Sequence, residues 1–223
     1  MKGYNRIEVN RKLVRATKRE SVFEALGELQ KSQDVFAFSK GQFSLSDVIA
    51  WALEHTGPAD VIVSTWTAAK ADIENAYKLL DNGNIRNMRW LVDFSFPRRQ
   101  PAYCEALRDR FGDDAIRLSK NHAKFVLVEN DVFNVVIRTS MNMNENPRFE
   151  YLEVSESIEM ATWLRGIIEK VFQDLDGVSL DDRPSKHEQR FAAFDRTPVG
   201  EHDDSIYGIS LDDPNSSGLS VVN

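Results

Sequence analysis

Short apolar runs alternate with segments of helical spacing in the first half of the chain. Three runs rich in β-branched and aromatic residues predict strands: "DVFAFS" (34–39), "DVIVST" (60–65) and "MRWLVDFS" (88–95). The first predicted helix carries Val22, Phe23, Leu26 and Leu29 at helical spacing and ends before Asp34. The others are a segment from a cap at Ser44 or Ser46 to "TGP" (56–58), about Thr67 to Leu80, and part of "QPAYCEALRDRF" (100–111) with Gly112 as its C-terminal cap. Strands separated by helices in this way are typical of an α/β sheet.

The second half of the chain departs from this alternation. "AIRLS" (115–119) predicts a short edge strand, and the apolar runs 122–128 and 132–140 are separated by "END", which predicts a hairpin. A further strand is expected near 150–154, and apolar spacing from Ile158 to Val171 predicts a closing helix. The predicted fold class is therefore α/β, a mixed β-sheet with helices on both faces.

Charge divides the chain into three parts. Residues 1–20 hold seven Lys/Arg against two Glu, whereas residues 174–223 hold eleven Asp/Glu against four Lys/Arg, which accounts for the net charge of −7. A basic N-terminal arm and helix (1–33), an α/β domain (34–173) and an acidic tail (174–223) are expected. The tail lacks apolar periodicity apart from "SIYGISL" (205–211), so disorder is expected there.

The rest of the composition favours a soluble cytoplasmic protein. Cys104 is the sole cysteine, which excludes an intramolecular disulfide and fits a reducing compartment. No apolar run approaches the length of a membrane span, so no membrane partner is expected. The four histidines and the cysteine show no ligand spacing, so neither a metal site nor a cofactor is expected.

Candidate chemistry gathers on the predicted hairpin. His122 and Lys124 share one face of its first arm, because strand side chains alternate. On the second arm, Arg138, Ser140 and Asn142 share one face. If the two faces coincide, these five groups converge on an anionic, oxygen-rich ligand.

These residue types fit phosphodiester chemistry. A histidine with an ordinary pKa near ~6.5 can be a nucleophile or an acid at neutral pH, and a lysine, a serine and an asparagine can hold phosphate oxygens. A nucleophilic imidazole also needs a carboxylate to fix its tautomer, and Glu150, with Glu153 as the fallback, lies on the adjoining predicted strand.

This stretch resembles the phospholipase D superfamily, whose signature is H-x-K-x4-D followed by G-S-x-N and a downstream acidic residue. "HAKFVLVE" supplies His122 and Lys124, "TSMN" supplies Ser140 and Asn142, and "NPRFEYLEV" supplies the carboxylate. The sequence departs from the signature at Glu129, at Thr139 in place of the glycine, and in a Lys124-to-Ser140 gap three residues longer than usual.

The resemblance implies a phospholipase D-like half-domain and a mechanism without metal. One histidine attacks phosphorus to give a phosphohistidine, a second protonates the leaving oxygen, and water resolves the intermediate. Members with one motif work as homodimers, and this chain has a single H-x-K.

Outside the hairpin, Trp66 in "STWTAA" is a candidate for the rim of a ligand cleft, with core packing as the alternative. Arg98 and Arg99 follow a predicted strand and could steer a phosphate backbone, with surface solvation as the alternative.

The expected function is that of a homodimeric phosphodiesterase acting on nucleic acid, a single-motif nuclease. The alternative is a catalytically silent phospholipase D-like module that binds nucleic acid or a partner assembly, such as an accessory protein of a mobile element. A lipid-cleaving role ranks third, because no amphipathic membrane-binding helix stands out.

Overall fold

The computed structural model describes residues 10–15, 21–144 and 148–181. Eight strands form one sheet: β1 (Asn10–Arg15), β2 (Gln33–Ser39), β3 (Ala59–Thr65), β4 (Ile85–Asp93), β5 (Ile116–Ser119), β6 (Phe125–Glu129), β7 (Asn134–Thr139) and β8 (Glu150–Glu156). Six helices accompany them: α1 (Val22–Leu26), α2 (Leu45–Thr56), α3 (Lys70–Asp81), α4 (Phe96–Arg99), α5 (Pro101–Phe111) and α6 (Ile158–Asp174).

The sheet is mixed, with strand order β1-β2-β8-β7-β6-β3-β4-β5. The pair β1–β2 and the set β3–β4–β5 are parallel, and the antiparallel strands β6, β7 and β8 lie between these two parallel parts. β2 runs antiparallel to β8, and β3 runs antiparallel to β6. One end of the sheet therefore holds the amino ends of β6 and β8 together with the carboxyl ends of β2, β3, β4 and β7. The candidate chemistry lies at that end.

Helices cover both faces, which confirms the predicted fold class. The larger apolar core joins one face of the sheet to α1, α2, α3 and α5, and it includes the fully buried Trp51, Trp90 and Phe96. On the other face α6 packs through Ala161, Ile168 and neighbouring side chains against β3, β4, β6 and β7. Central strands buried on both faces explain why their sequences are almost continuously apolar.

Local signals fix the helix ends. Ser44, one of the two predicted caps, forms a reciprocal capping box with Asp47 at the start of α2. Helix α1 ends at Leu26, earlier than the predicted limit before Asp34, because Gly27 takes φ +66° and its N–H donates to the carbonyl of Phe23. Gly112 ends α5 with φ +76°, as the sequence predicts.

Strand β1 was missed by the sequence analysis, which assigned these residues to a basic arm. It pairs with β2 at the sheet edge and leaves most of its side chains exposed, so its sequence shows little apolar alternation.

At the other end of the described chain, Leu180 is buried in the larger core. The segment after α6 thus contributes packing beyond the predicted tail boundary at 174, while the rest of the predicted tail lies outside the described residues. None of the described helices has the length and apolar character needed to cross a membrane.

Candidate active site

The end of the sheet where β6 begins presents His122 and Lys124. Both residues precede the strand, which starts at Phe125 and not at 122 as predicted. His122 is exposed, and Lys124 is half-buried with its Nζ donating to the carbonyl of His122 (3.0 Å). The backbone carbonyl of Lys124 accepts from the N–H of Thr139 (3.2 Å), which anchors this segment to β7.

Asn121, which sequence reasoning missed, fixes the segment that carries these two side chains. Its buried amide group donates to Ser64 Oγ (2.9 Å) and to the carbonyl of Leu91 (3.2 Å), and its Oδ1 accepts from the N–H of Ala123 (3.0 Å). Ser64 Oγ in turn donates to the carbonyl of Ala123 (3.0 Å). Asn121 therefore ties the residues around His122 to β3 and β4, and its place directly before the H-x-K motif is the signal that could have revealed it.

Asp93, at the carboxyl end of β4, adds a second anchor that the sequence analysis did not consider. One of its carboxylate oxygens accepts from the backbone N–H of Asn121 (3.3 Å), and the other accepts from the N–H of Ser95 (3.0 Å) and from its hydroxyl. A carboxylate that closes a parallel strand is a recognisable signal in sequence, because such strand ends line ligand sites.

Trp66 and Arg99 lie beside His122. The Trp66 ring centroid is 6.1 Å from that of His122, and the ring is half-buried at the end of β3, as a cleft rim requires. The Arg99 guanidinium stacks 3.7 Å over the Trp66 ring, donates to the Trp66 carbonyl (2.9 Å) and is held by Ser95 Oγ (2.8 Å). Arg99 therefore supplies an oriented positive charge near the histidine. Arg98 is exposed and makes no hydrogen bond or ion pair with any described residue.

Ser140 and Glu150 meet where β7 ends and β8 begins. The Ser140 hydroxyl donates to the Glu150 carboxylate and accepts from the N–H of Tyr151 (3.0 Å). Glu150 therefore contacts Ser140, and within the described part of the chain neither Glu150 nor Glu153 hydrogen-bonds to His122. The expected support of the imidazole by Glu150 is absent from this conformation, in which one carboxylate oxygen of Glu150 accepts from the Ser140 hydroxyl.

Thr139 occupies the position of the signature's glycine without backbone strain. It is a buried residue of β7 whose hydroxyl donates to the Tyr151 carbonyl (2.7 Å) and accepts from the N–H of Met141 (3.0 Å). Ser32 is the one described non-glycine residue with positive φ, so position 139 has no need of a glycine here.

Lys124 and Glu150 interact electrostatically. Partial burial lowers the pKa of Lys124 below the ordinary lysine value, and the nearby Glu150 carboxylate opposes that shift. A lysine whose ammonium is partly desolvated attracts an anionic oxygen more strongly than one in bulk water.

Asn142 lies at the wall of a cavity of about 240 Å³ beside this cluster. Its Oδ1 is 3.5 Å from the Thr65 hydroxyl. The cavity is also lined by Glu150, Arg148 and Asp72, so it joins the serine–glutamate pair to an exposed arginine. Within the described residues no three His, Cys, Asp or Glu side chains lie close enough to hold a metal ion.

The structure does not bring Arg138 to this cluster. Hairpin register pairs Arg138 with Phe125, so its side chain shares the sheet face of α6, and it forms an ion pair with Glu153 (2.9 Å). The expectation that the two hairpin faces coincide is corrected by that register. Ser140 reaches the cluster because β7 ends at Thr139 and the strand alternation stops there. Glu129, at the signature's aspartate position, lies at the far end of β6 and pairs with Arg165 (2.9 Å).

Comparison with known proteins gives limited matches. No protein-family model matches the chain, and no curated protein matches it. Among solved structures, the chain is similar to the crystal structure of polyphosphate kinase from Porphyromonas gingivalis, with 12% sequence identity and a TM-score of 0.47. The similarity covers 66% of this chain and 27% of that protein, so the chain spans about a quarter of its length.

Proposed function

We propose that the protein is a phosphodiesterase of the phospholipase D type that cleaves nucleic acid without a metal. The proposal is supported by the position of His122 and Lys124 just before β6, at the same end of the sheet as Ser140, Asn142 and Glu150, and by the electrostatic interaction between Lys124 and Glu150. Two segments separated in sequence thus bring the residue types of the signature to one place.

Each side chain has a role in the proposed reaction. A nitrogen of neutral His122 attacks phosphorus, so that a P–N bond forms while the P–O bond to the leaving group breaks. Lys124, Asn142 and Ser140 bind the non-bridging oxygens, whose negative charge increases in the transition state. Glu150 positions Ser140 and balances the charge of Lys124.

The reaction needs a proton donor as well as a nucleophile, and the chain carries one H-x-K histidine. In a homodimer, protonated His122 of the partner subunit would give its proton to the leaving oxygen. The same imidazole would then take a proton from water as that water attacks phosphorus, the P–N bond breaks and the electron pair returns to the first histidine. A homodimer is therefore part of the proposal.

The alternative is a silent phosphate-binding module. The observation that favours it is the exposed imidazole of His122, which has no carboxylate partner among the described residues. Such a module would retain Lys124, Arg99 and Arg148 as anion-binding groups and would bind nucleic acid without turnover.

Hydrolysis of bis(4-nitrophenyl) phosphate and of labelled oligonucleotides in EDTA separates the two candidates. His122→Ala should abolish turnover, and Lys124→Ala should lower it by about 10²–10³. His55→Ala is the matched control, since His55 lies in α2 with its Nδ1 2.7 Å from the Trp51 carbonyl. A single turnover of ³²P-labelled diester should label the wild-type chain in an acid-labile bond and leave His122→Ala unlabelled.

Three results would contradict the enzyme proposal: full activity in His122→Ala, activity that EDTA abolishes and magnesium restores, or a monomer that is fully active. Binding of nucleic acid without any turnover would establish the silent module instead.

A further inference from the structure

One side of the sheet carries an exposed aromatic surface next to the candidate site. Its members are Leu13 on β1, Phe36 and Phe38 on β2, Tyr151 on β8, and Phe149 just before β8; we call this set the aromatic face. Strand register pairs Phe38 with Tyr151 and Leu13 with Phe36, so the four strand residues lie on the same face of the sheet.

The rings form a continuous array. Phe149 stacks on Phe38 with centroids 4.9 Å apart and an interplanar angle of 11°. Phe36 contacts Phe38 edge-on at 5.0 Å and Tyr151 at 6.5 Å. Ring contacts of this kind hold the side chains in place, so little conformational entropy is lost when a ligand stacks on them.

Nothing in the described chain covers this array. Helix α6 packs on the same side of the sheet, and its apolar contacts are with β3, β4, β6 and β7. Phe149 is 69% exposed, Leu13 is 73% exposed and Tyr151 is 38% exposed. A contiguous exposed apolar surface of this kind marks a binding site.

The surroundings of the aromatic face favour a polyanion. Arg11 and Arg15 lie two residues before and two residues after Leu13 on β1, so all three side chains share one face of the sheet. Both arginines are exposed, and neither forms a hydrogen bond or ion pair with a described residue. Among the acids of β2 and β8 on this side, Glu153 forms an ion pair with Arg138, and Asp34 lies directly opposite Arg11 in the strand register. Arg15 lies opposite Phe38, so the charge beside that ring is positive.

The aromatic face borders the site through the backbone of Tyr151. Glu150 contacts Ser140, while its two chain neighbours, Phe149 and Tyr151, belong to the face. The N–H of Tyr151 donates to Ser140 Oγ (3.0 Å), and the Tyr151 carbonyl accepts from the N–H of Ser140 (3.3 Å). Because strand side chains alternate, Tyr151 and Glu150 point to opposite faces, so a strand stacked on Tyr151 reaches the proposed chemistry by passing round the end of the sheet.

We propose that the aromatic face is a binding platform for single-stranded nucleic acid, with bases stacked on Phe149, Phe38 and Tyr151 and phosphates attracted by Arg15. Flat rings flanked by arginines are what unpaired bases and their backbone require, whereas the bases of a duplex are stacked on each other and cannot reach the rings. The identification of the bound strand as the substrate rests on the proposed function; the binding itself does not.

Fluorescence anisotropy with a short labelled oligothymidylate tests the platform. The protein is used in the His122→Ala background in EDTA, so that turnover cannot remove the probe. Phe149→Ala and Tyr151→Ala should each weaken binding by about 10-fold. Arg15→Ala should weaken it and reduce the slope of log K against log salt by about 0.7.

Two matched controls separate stacking from non-specific effects. Phe23 is a half-exposed phenylalanine on α1, on the opposite side of the sheet, and Arg86 is an exposed arginine at the start of β4. Phe23→Ala and Arg86→Ala should leave binding unchanged. Hydrolysis of bis(4-nitrophenyl) phosphate with His122 intact should likewise be unchanged in Phe23→Ala and Arg86→Ala. Failure of all variants to hydrolyse this compound would refute the proposed function and leave the platform standing.

Unchanged affinity in both Phe149→Ala and Tyr151→Ala would overturn the platform, as would equal losses in Phe23→Ala. Duplex of the same sequence binding as tightly as the single strand would also overturn it. Light scattering supplies the last outcome: a dimer that Phe149→Ala converts to monomer would show that a second copy occupies the aromatic face.

Discussion

Asn121→Ala tests whether the segment before β6 must be held rigidly for the proposed chemistry. The side chain of Asn121 bonds to β3, to β4 and to the N–H of Ala123, one residue beyond His122. The substitution removes these bonds without touching any side chain proposed to contact the substrate. Its effect on turnover must therefore come through the position of His122 and Lys124.

The magnitude follows from the bonds that are lost. The two amide N–H groups of Asn121 are shared among three acceptors, Ser64 Oγ and the carbonyls of Leu91 and Thr65, and its Oδ1 accepts one N–H. Three bonds with a net value of about 1 kcal/mol each give a loss of roughly 3 kcal/mol in the free energy of unfolding. The N–H of Ala123 loses its acceptor, so the segment can shift. A displacement of about 1 Å at a reacting group costs about 10²-fold in rate, and we expect kcat/KM to fall by that factor.

Asn130→Ala is the matched control. Asn130 follows β6 at its other end and bonds as extensively, donating to the carbonyls of Thr56 (2.8 Å) and Pro58 (3.2 Å) and accepting from the N–H groups of Val132 and Phe133. It should lower stability to a similar degree and leave turnover per folded molecule unchanged.

The assay combines urea unfolding with hydrolysis of bis(4-nitrophenyl) phosphate at a temperature at which both variants are fully folded. Equal turnover in Asn121→Ala and Asn130→Ala, whether both keep the wild-type rate or both fall to the same extent, would refute the positioning role of Asn121, because the effect would then follow stability alone.

Three further predictions concern charge and the chain end. Because burial lowers the pKa of Lys124, this group loses its proton at a lower pH than an ordinary lysine; the alkaline limb of kcat/KM should therefore begin early, and Lys124→Arg should move it upward. Burial raises the pKa of Glu129, and Arg165 pairs with its carboxylate, so Arg165→Met should lower the free energy of unfolding by about 1–2 kcal/mol at pH 7. This loss should shrink as the pH falls through the folded-state pKa of Glu129, because the protonated carboxyl no longer needs the arginine. Urea titrations measure both effects, and Glu129→Gln should rescue the stability of Arg165→Met. Truncation after Asp181 should leave the unfolding midpoint unchanged and should tighten oligonucleotide binding at low salt, because it removes acidic residues that compete with the oligonucleotide for basic groups. Truncation after Phe172 should lower the midpoint, because it also removes packed side chains such as Leu180. Unchanged oligonucleotide binding after truncation at Asp181 would exclude this competition.

The sequence predicted most of the sheet because buried strands carry their own pattern. β3, for example, is apolar at nearly every position, and it was expected within one residue of its observed start. β1 could not be predicted in this way, since its stability comes from backbone pairing with β2 while its side chains stay in solvent. Strand pairing of that kind leaves little trace in a single sequence.

The sequence identified the residues of the candidate site, but it did not predict which of them contact one another. Alternation placed Arg138 with Ser140, yet the hairpin register turns Arg138 to the face of α6 and the end of β7 frees Ser140 from the alternation. Register depends on the geometry of the turn, where Asn130 accepts two backbone N–H groups, and the sequence does not fix that choice. The partner of Glu150 likewise depends on which donor lies nearer once the strands have paired.

The position of β6, β7 and β8 between the two parallel parts of the sheet has a consequence for the order of folding. β2 has its antiparallel partner in β8, and β3 has its partner in β6, so closure of the sheet joins segments far apart in sequence. A nascent chain synthesised only as far as β5 contains both outer parts of the sheet but no strand to connect them. Contacts of such long sequence separation form slowly, and until they form the edges of β2 and β3 stay open to pairing with other chains. Within the described residues β6, β7 and β8 are the last strands in chain order, and His122, Ser140 and Glu150 lie at their ends, so the centre of the sheet and the proposed reactive groups are expected to form late and together.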